Sequence, residues 1–279
     1  MESESLLPIR EVARITGVNP VTLRAWQRRY GLIKPQRTAK DHRLYSEADI
    51  ELIREILYWL EQGVSIGKVR GLLGQDQQTV TGTADSSWEQ ARQDLLDSAR
   101  ALAHDKLENQ LRELAKLYPA PLFLHRVIEP WLADLATLQR PDRELIQHSA
   151  HAVLMHFIHQ VLSIQSGPRI AVGSIGKAPT LSLPLLRYEL QDMGCRSIDL
   201  GPIQSEQLPL ATSRLKADAY VLLLGSGLTG MWLAQHQPEW PEPVFLVGQL
   251  GNVYRAEGWL DKPFATHVSE LEGFPPCDT

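Results

Sequence analysis

The first 73 residues place apolar positions at helical spacing and separate them by short polar turns. Apolar residues recur through residues 9–15 and predict a first helix that ends before Gly17. Asn19 followed by Pro20 is typical of a helix N-terminus and predicts a second helix that runs to about Tyr30. Two helices joined by a turn of three to four residues indicate a helix-turn-helix.

The rest of this segment completes a winged version of the same motif. Residues 34–45 are basic, contain a proline and fit a two-stranded wing. Ser46 is placed to cap a third helix whose first turn is acidic, and Ser65 is placed to begin a short fourth helix. These elements predict a winged helix-turn-helix domain over residues 1–75.

The middle of the chain has a helical pattern throughout. Residues 76–87 are polar, with almost no apolar content, and are interpreted as a linker. Residues 88–166 show only helical periods, in four segments. This region therefore predicts a four-helix bundle of about 80 residues.

The pattern changes at residue 167, where short apolar runs begin to alternate with helical stretches. The runs are nearly continuous, as in strands that are buried on both faces of a parallel sheet. The predicted strands cover residues 169–175, 196–200, 219–225 and 244–248. The alternation predicts a doubly wound, Rossmann-like α/β domain over residues 167–279, and hence a multidomain fold of the α plus α/β class.

The net charge of −5 is unevenly distributed along the 279 residues. The first 75 residues hold 12 Lys and Arg against 9 Asp and Glu, whereas the remaining 204 hold 16 against 24. Residues 19–45 carry seven basic groups and a single acid, Asp41. Such a concentration of positive charge attracts polyanions, although charge alone would also fit a solvated basic face.

Composition excludes several classes of protein. With 43% hydrophobic and 22% charged residues, the chain resembles globular rather than disordered proteins. No uninterrupted apolar stretch approaches the ~18 residues of a membrane span, and the N-terminus lacks the basic start and apolar core of a signal peptide. Two cysteines are too few for a disulfide scaffold or a Cys-rich zinc site. We therefore expect a cytoplasmic protein without membrane association.

The second helix of a helix-turn-helix enters the major groove of DNA, and its N-terminal residues meet base edges. Arginine bonds guanine or phosphate, and threonine reaches phosphate or a thymine methyl group. Trp26 fits either the domain core or packing along the sugar-phosphate backbone, and His42 fits either a phosphate contact or an exposed turn. The candidate DNA-binding residues are Thr22, Arg24, Trp26, Arg28, Arg29, Arg37, His42, Arg43 and Tyr45.

Two segments, VNPVTLRAWQRRYGLIKPQRT and HRLYSEADIELIREILYWLEQGVSIGKVRGLL, resemble the DNA-binding domain of MerR-type transcription regulators. The resemblance covers about residues 7–73 and is strongest to the branch that contains MlrA-like biofilm regulators and CarH-type light sensors. It implies a sequence-specific regulator that binds double-stranded promoter DNA as a homodimer, with RNA polymerase as its partner at the promoter. One departure is the wing turn, Ala39-Lys40-Asp41, where relatives usually have glycines.

The bundle and the α/β domain together resemble, less strongly, the cobalamin-binding module of the light-sensor branch. That resemblance implies a cobalt-ligating histidine in a D/E-x-H-x-x-G loop after the first strand. Residues 173–180 occupy this loop and contain neither histidine nor acid. In the bundle motif W-x9-E-H, the three positions are occupied by Thr137, Gln147 and His148, so only the histidine is kept. We therefore expect no cofactor, cobalamin included; the alternative is a cobalamin- or nucleotide-sensing regulator that switches oligomeric state.

Two glycine-bearing loops follow predicted strands at the edge where open α/β sheets bind ligands. The candidate ligand-binding residues there are Ser174, Gly176, Lys177, Ser226, Gly227 and Leu228. The competing interpretation is that the glycines only shape the turns. Neither loop is a Walker loop and no hydrolase or metalloprotease motif occurs, so we expect no enzymatic activity. Two His-x-x-His pairs within residues 148–159 fit a packed helix better than a metal site.

Overall fold

A computed structural model describes residues 6–38, 40–74, 86–162 and 167–274 of the chain. The chain divides into two compact units, Met1–Phe157 and Ile158–Thr279. Most of the proposed linker, residues 76–85, lies outside the described residues, as does Ala39 of the wing turn. Within the described part of the chain, no helix combines the length and the hydropathy that crossing a bilayer requires.

The first unit opens with a winged helix-turn-helix, which confirms the predicted fold of this region. Strands β1, β3 and β2 form a small antiparallel sheet in that order, with β3 in the centre. The two-residue strand β1 was not predicted, because so short a segment has no recognisable alternation. The elements are β1 (Leu7–Pro8), α1 (Ile9–Thr16), α2 (Pro20–Ala25), a π-helical turn (Trp26–Tyr30), β2 (Gln36–Arg37), β3 (Arg43–Tyr45), α3 (Glu47–Glu61) and α4 (Ile66–Val69).

Side-chain caps fix where these helices begin. The Asn19 side chain accepts hydrogen bonds from the backbone N–H groups of Val21 and Thr22, at 2.8 and 2.9 Å. At the start of α3, Ser46 and Asp49 form a reciprocal capping box. Each cap satisfies helix N–H groups that lack an intrahelical partner, which sets the first residue of the helix.

In the wing turn, an aspartate adopts the left-handed backbone conformation that a glycine would usually adopt. Asp41 has a φ of 63°, in the left-handed region where aspartate is tolerated better than most residues. Its N–H donates to the carbonyl of Thr38 at 2.9 Å, and the N–H of Thr38 donates to the carbonyl of His42 at 2.9 Å. The turn therefore closes without the glycines that the resemblance leads one to expect.

The remainder of the first unit is helical, in four passes. In the third pass, α7, a π-helical turn and α8 follow one another without a break, and this pass begins at Ala120, earlier than the apolar stripe near Ile128 indicates. Trp131, Phe123 and Phe157 are fully buried in the core of these helices. The helices are α5 (Ser86–Arg100), α6 (His104–Leu117), α7 (Ala120–Phe123), the turn (Leu124–Ile128), α8 (Glu129–Ala136) and α9 (Arg143–Val161).

The second unit is a parallel sheet of five strands, in the order β5-β4-β6-β7-β8. All four predicted strands are present, and the doubly wound fold is confirmed. The two-residue strand β8 was not predicted. The elements are β4 (Arg169–Ile175), α10 (Ser182–Asp192), β5 (Arg196–Pro202), α11 (Leu208–Arg214), β6 (Ala219–Leu224), α12 (Gly230–His236), β7 (Val244–Val247), α13 (Gly251–Ala256) and β8 (Phe264–Ala265).

Both faces of this sheet are buried, which explains its continuous apolar strands. Along β4, Ile170 and Val172 belong to one core, and Ala171 and Ile175 belong to the other. The first core also contains Cys195. The chain order reverses between β5, β4 and β6, so the carboxyl ends of β4 and β6 form the crevice where ligands bind in folds of this kind.

Candidate functional site

The recognition helix, defined here as α2 and the π-helical turn that follows it, presents two arginines to solvent. Arg24 and Arg28 are exposed and stand four residues apart, so they share one face of the helix. Neither forms an ion pair or a side-chain hydrogen bond with another residue that the structure describes. Their guanidinium groups are therefore available to an external anion.

A second face of the recognition helix is covered by α6. Thr22 and Trp26 are fully buried, and the Trp26 indole N–H donates to the carbonyl of Leu117 at 2.7 Å. The Thr22 hydroxyl has no hydrogen-bond partner among the described residues. In this arrangement neither side chain can touch DNA. Of the two roles predicted for Trp26, the structure shows the one in the domain core.

Arg29 lies at the solvent edge of this covered face. Its guanidinium donates to Oε2 of Glu113 at 2.7 Å, while Lys116 donates to Oε1 of the same carboxylate at 2.8 Å. Lys116 first, and Arg29 second, hold the pKa of Glu113 below its ordinary value. Arg29 is thus exposed yet already paired with an anion.

The tip of the wing carries exposed polar and charged side chains. Arg37 pairs with Asp41 across the turn, and this hydrogen-bonded guanidinium lowers the pKa of the Asp41 carboxyl. His42 and Lys40 are exposed beside them. Arg37 and His42 are therefore accessible to a phosphate backbone, although Arg37 must share its charge with Asp41.

The base of the wing is bonded to the recognition helix. Arg43 is half-buried, and its Nε–H donates to the Gln27 side-chain carbonyl at 2.8 Å. Tyr45 is fully buried; burial raises the pKa of its hydroxyl, and the charges of Arg43 and Arg24 oppose that rise. The predicted DNA contact at Tyr45 is not available in this arrangement, because its side chain is fully buried.

Gln27 is a functional neighbour that sequence reasoning missed. It stands between the two exposed arginines of the recognition helix and holds the wing through Arg43. No motif marks a glutamine for such a role, since it depends on a strand that lies 16 residues further along the chain.

In the second unit, the two glycine-bearing loops are joined to each other. The N–H of Lys177 donates to the carbonyl of Ser226 at 2.9 Å, and the N–H of Ser226 donates to the carbonyl of Lys177 at the same distance. A Cβ on Gly225 would lie 2.4 Å from the Lys177 carbonyl oxygen, and one on Gly176 would lie 2.7 Å from that of Ser226. The close approach of the two backbones requires both glycines.

The candidate ligand-binding residues are only partly brought together by this contact. Gly176, Lys177, Ser226 and Gly227 are exposed where the loops meet. Leu228 is half-buried beside them, whereas Ser174 is buried within β4. Among these six residues, the exposed polar side chains are the Lys177 ammonium and the Ser226 hydroxyl.

Cobalamin, which the sequence resemblance implies, does not fit these residues. No side chain in residues 173–180 supplies an imidazole, so the loop offers no axial ligand of the expected kind. The paired N–H···O bonds between Lys177 and Ser226 would also have to break before a group could enter between the loops. The loop therefore departs from the cobalamin-binding pattern in its chemistry, because it lacks the histidine and the acid that the pattern requires.

The histidines of α9 differ in their neighbours. Burial first, and the neighbouring His148 second, lower the pKa of His151. Both effects disfavour the charged imidazolium form of His151. The Nε2 of His156 lies 4.0 Å from the Oε2 of Glu108.

Comparison with known proteins gives a match to the N-terminal region. Residues 7–76 match the family described as MerR HTH family regulatory protein. Over 154 residues the chain is 37% identical to the HTH-type transcriptional regulator MlrA of Escherichia coli, and this match covers 55% of the chain and 61% of that relative. It is 28% identical over 169 residues to the HTH-type transcriptional repressor CarA of Myxococcus xanthus, covering 58% of the chain and 56% of that relative.

These matches span only about three fifths of each relative's length. Among solved structures, the methanol:cobalamin methyltransferase complex MtaBC from Methanosarcina barkeri matches with a TM-score of 0.30 and 11% identity, over 75% of the chain and 86% of that chain. At this TM-score the likeness supports no conclusion. The sequence match and the geometry of the described residues show that the N-terminal region contains a MerR-type helix-turn-helix domain.

Proposed function

We propose that the protein is a sequence-specific transcription regulator that binds double-stranded promoter DNA through the recognition helix and the wing. The observation that carries this proposal is the pair of exposed arginines, Arg24 and Arg28, which form no ion pair with any described residue. They lie on a helix whose start is fixed by the Asn19 cap. A guanidinium near the N-terminus of such a helix suits a guanine edge, and one further along the helix suits a phosphate.

The residues divide into contacting and positioning groups. Arg24 lies nearest the N-terminus of the helix and reads a base edge, while Arg28, Arg37 and His42 contact phosphates. Arg29 contacts a further phosphate once its guanidinium is released from Glu113. Gln27, Arg43 and Tyr45 position the wing against the helix, through the Arg43–Gln27 hydrogen bond and the buried ring of Tyr45. Arg24 then provides the sequence specificity, and the residues that contact phosphates provide most of the salt-dependent affinity.

The proposal includes a homodimer that acts on promoter DNA in the cytoplasm, with RNA polymerase as its partner there. Two recognition helices can read a palindrome when they stand about one helical turn of DNA apart. The remainder of the chain supports dimerisation or senses a signal other than cobalamin, and it has no enzymatic role.

The first experiment selects binding sites from a random pool of duplexes of about 30 base pairs, long enough for two half-sites a helical turn apart. The full chain is expected to enrich an inverted repeat. Arg24→Ala should cost about 1–3 kcal/mol on the selected duplex and relax specificity at one position in each half-site. Arg28→Ala should weaken all duplexes equally and lower the salt dependence.

Arg214→Ala is the matched control, because it removes one exposed arginine from α11 in the second unit. Equal losses for Arg24→Ala and Arg214→Ala would contradict the proposed interface, as would failure to enrich any duplex. In a parallel measurement, the full chain incubated with adenosylcobalamin in the dark and then gel-filtered should stay colourless. A red protein would contradict the exclusion of cobalamin.

A further inference from the structure

The carboxyl end of α6 lies directly against the recognition helix. Leu117 is the last residue of α6, and its carbonyl accepts the indole N–H of Trp26 at 2.7 Å. The last carbonyls of a helix lack intrahelical partners and carry the negative end of its macrodipole. A helix that is proposed to bind a polyanion therefore has a negative helix end docked on one of its faces.

Glu113 adds a full negative charge one turn earlier in α6. Its carboxylate holds Arg29 through one oxygen and Lys116 through the other. A carboxylate oxygen at 2.7 Å from a guanidinium occupies the place that a DNA phosphate oxygen would take. Arg29 and Glu113 keep about half of their side-chain surface exposed, at 44% and 50%, so solvent and ions reach the pair.

A second contact joins the helices of the bundle to the winged domain. Arg126, in the π-helical turn before α8, donates to the carbonyl of Glu61, the last residue of α3. The two contacts are reciprocal, because a winged-domain side chain caps α6 and a bundle side chain caps α3. Both use terminal carbonyls that would otherwise be bonded only by water.

We propose that α6 competes with DNA for the recognition helix, with Glu113 standing in for a phosphate at Arg29. DNA binding then requires the Trp26–Leu117 and Arg29–Glu113 contacts to open, and the docked protein is a low-affinity form. This inference rests on the proposed function, since it assumes that the recognition helix binds DNA.

Electrostatics favours competition over assistance by α6. A phosphate that approaches Arg29 comes within the ~10 Å screening length of the Glu113 carboxylate and of the end of α6, and both repel it. Lys116 offsets part of the charge, but its ammonium is already bonded to Glu113. A helix that assisted DNA binding would be expected to place a cation, or an N-terminus, in this position.

The test compares Glu113→Gln with Glu108→Gln in the full chain on the duplex obtained by selection. Both variants remove one carboxylate from α6, but Glu108 is bonded to Arg112 rather than to the recognition helix. Glu113→Gln should bind the duplex about two- to fivefold more tightly than Glu108→Gln, the range expected for releasing an exposed ion pair. Arg126→Gln, which opens the second contact, should also tighten binding.

A second readout follows the contact itself. Exchange of the Trp26 indole N–H with solvent should be slow in the free protein and should accelerate when the duplex is added, because docking and DNA binding exclude each other. Equal affinities of the two glutamine variants, weaker binding by Glu113→Gln, or unchanged indole protection on DNA would each overturn the competition. Absence of any duplex binding by the unmodified chain would instead refute the proposed function.

Discussion

Replacing Trp26 by phenylalanine should destabilise the first unit while strengthening its binding to DNA. The substitution keeps an aromatic ring in a fully buried position and removes the N–H that bonds the Leu117 carbonyl. Losing a buried partner of a hydrogen bond costs about 1–3 kcal/mol. The smaller ring adds a packing cost, and the total should stay below the ~3–5 kcal/mol of a complete truncation to alanine.

Trp131→Phe is a matched control for the packing cost. Trp131 is also fully buried in the first unit, but its indole N–H has no hydrogen-bond partner among the described residues. The difference in the free energy of unfolding between the two variants therefore isolates the Trp26–Leu117 hydrogen bond, and we expect it to be about 1–3 kcal/mol. Urea denaturation followed by far-UV circular dichroism measures both variants.

The same two variants distinguish a docking residue from a DNA contact. If Trp26 only docks α6, Trp26→Phe lowers stability and tightens binding to the selected duplex, whereas Trp131→Phe leaves DNA affinity unchanged. Should Trp26→Phe match Trp131→Phe in stability and bind the duplex more weakly, the indole contacts DNA and the reasoning is wrong.

Three further predictions concern the cap, the sheet edge and the packed histidine. Asn19→Ala should cost about 0.5–2 kcal/mol by urea denaturation, because two N–H groups of α2 lose their acceptor. Gly227→Ala, at φ 87° with open space around the added Cβ, should lower the free energy of unfolding by about 1–2 kcal/mol. Gly176→Ala, at φ 80°, should lower it further in the same assay, because the added Cβ also meets the Ser226 carbonyl. His151 has a folded-state pKa below 6.5, so the unfolded chain takes up its proton first. Stability should then fall as the pH drops below about 6.5, and in an NMR titration His148→Asn should raise the pKa of His151.

The parts of the fold that the sequence predicts are those set by local signals. Asn19 before a proline fixes the start of the recognition helix, and the apolar run of β4 gives the bounds of a strand buried on both faces. The short strands β1 and β8 have two residues each, too few for a periodic pattern. Missing β1 has a consequence for the wing, because its pairing with β3 makes β3 the central strand of the small sheet.

The candidate DNA interface was predictable in its charge and not in its contacts. Arg24 and Arg28 are exposed, as their spacing on a helix indicates. Trp26 and Arg29 instead bond residues that lie 91 and 84 positions away in the chain, and no spacing rule reaches across such a distance. Helical periodicity gives the face on which a side chain lies, but only tertiary packing decides what covers that face.

The free energy of the contacts between α6 and the recognition helix limits how much they can change the affinity for DNA. An exposed ion pair such as Arg29–Glu113 contributes about 0–1 kcal/mol, and the Trp26 hydrogen bond about 0.5–1.5 kcal/mol net. A change of 1.4 kcal/mol alters an affinity tenfold, so these contacts are strong enough to tune DNA binding and too weak to prevent it. Several phosphate contacts made at once outweigh them, and a cognate duplex opens the docked form where a short or mismatched one does not. Because the cost of opening is the same for every duplex, competition by α6 lowers the affinity for all of them by one factor, and at a given DNA concentration only the duplexes that bind well enough to offset this cost are occupied.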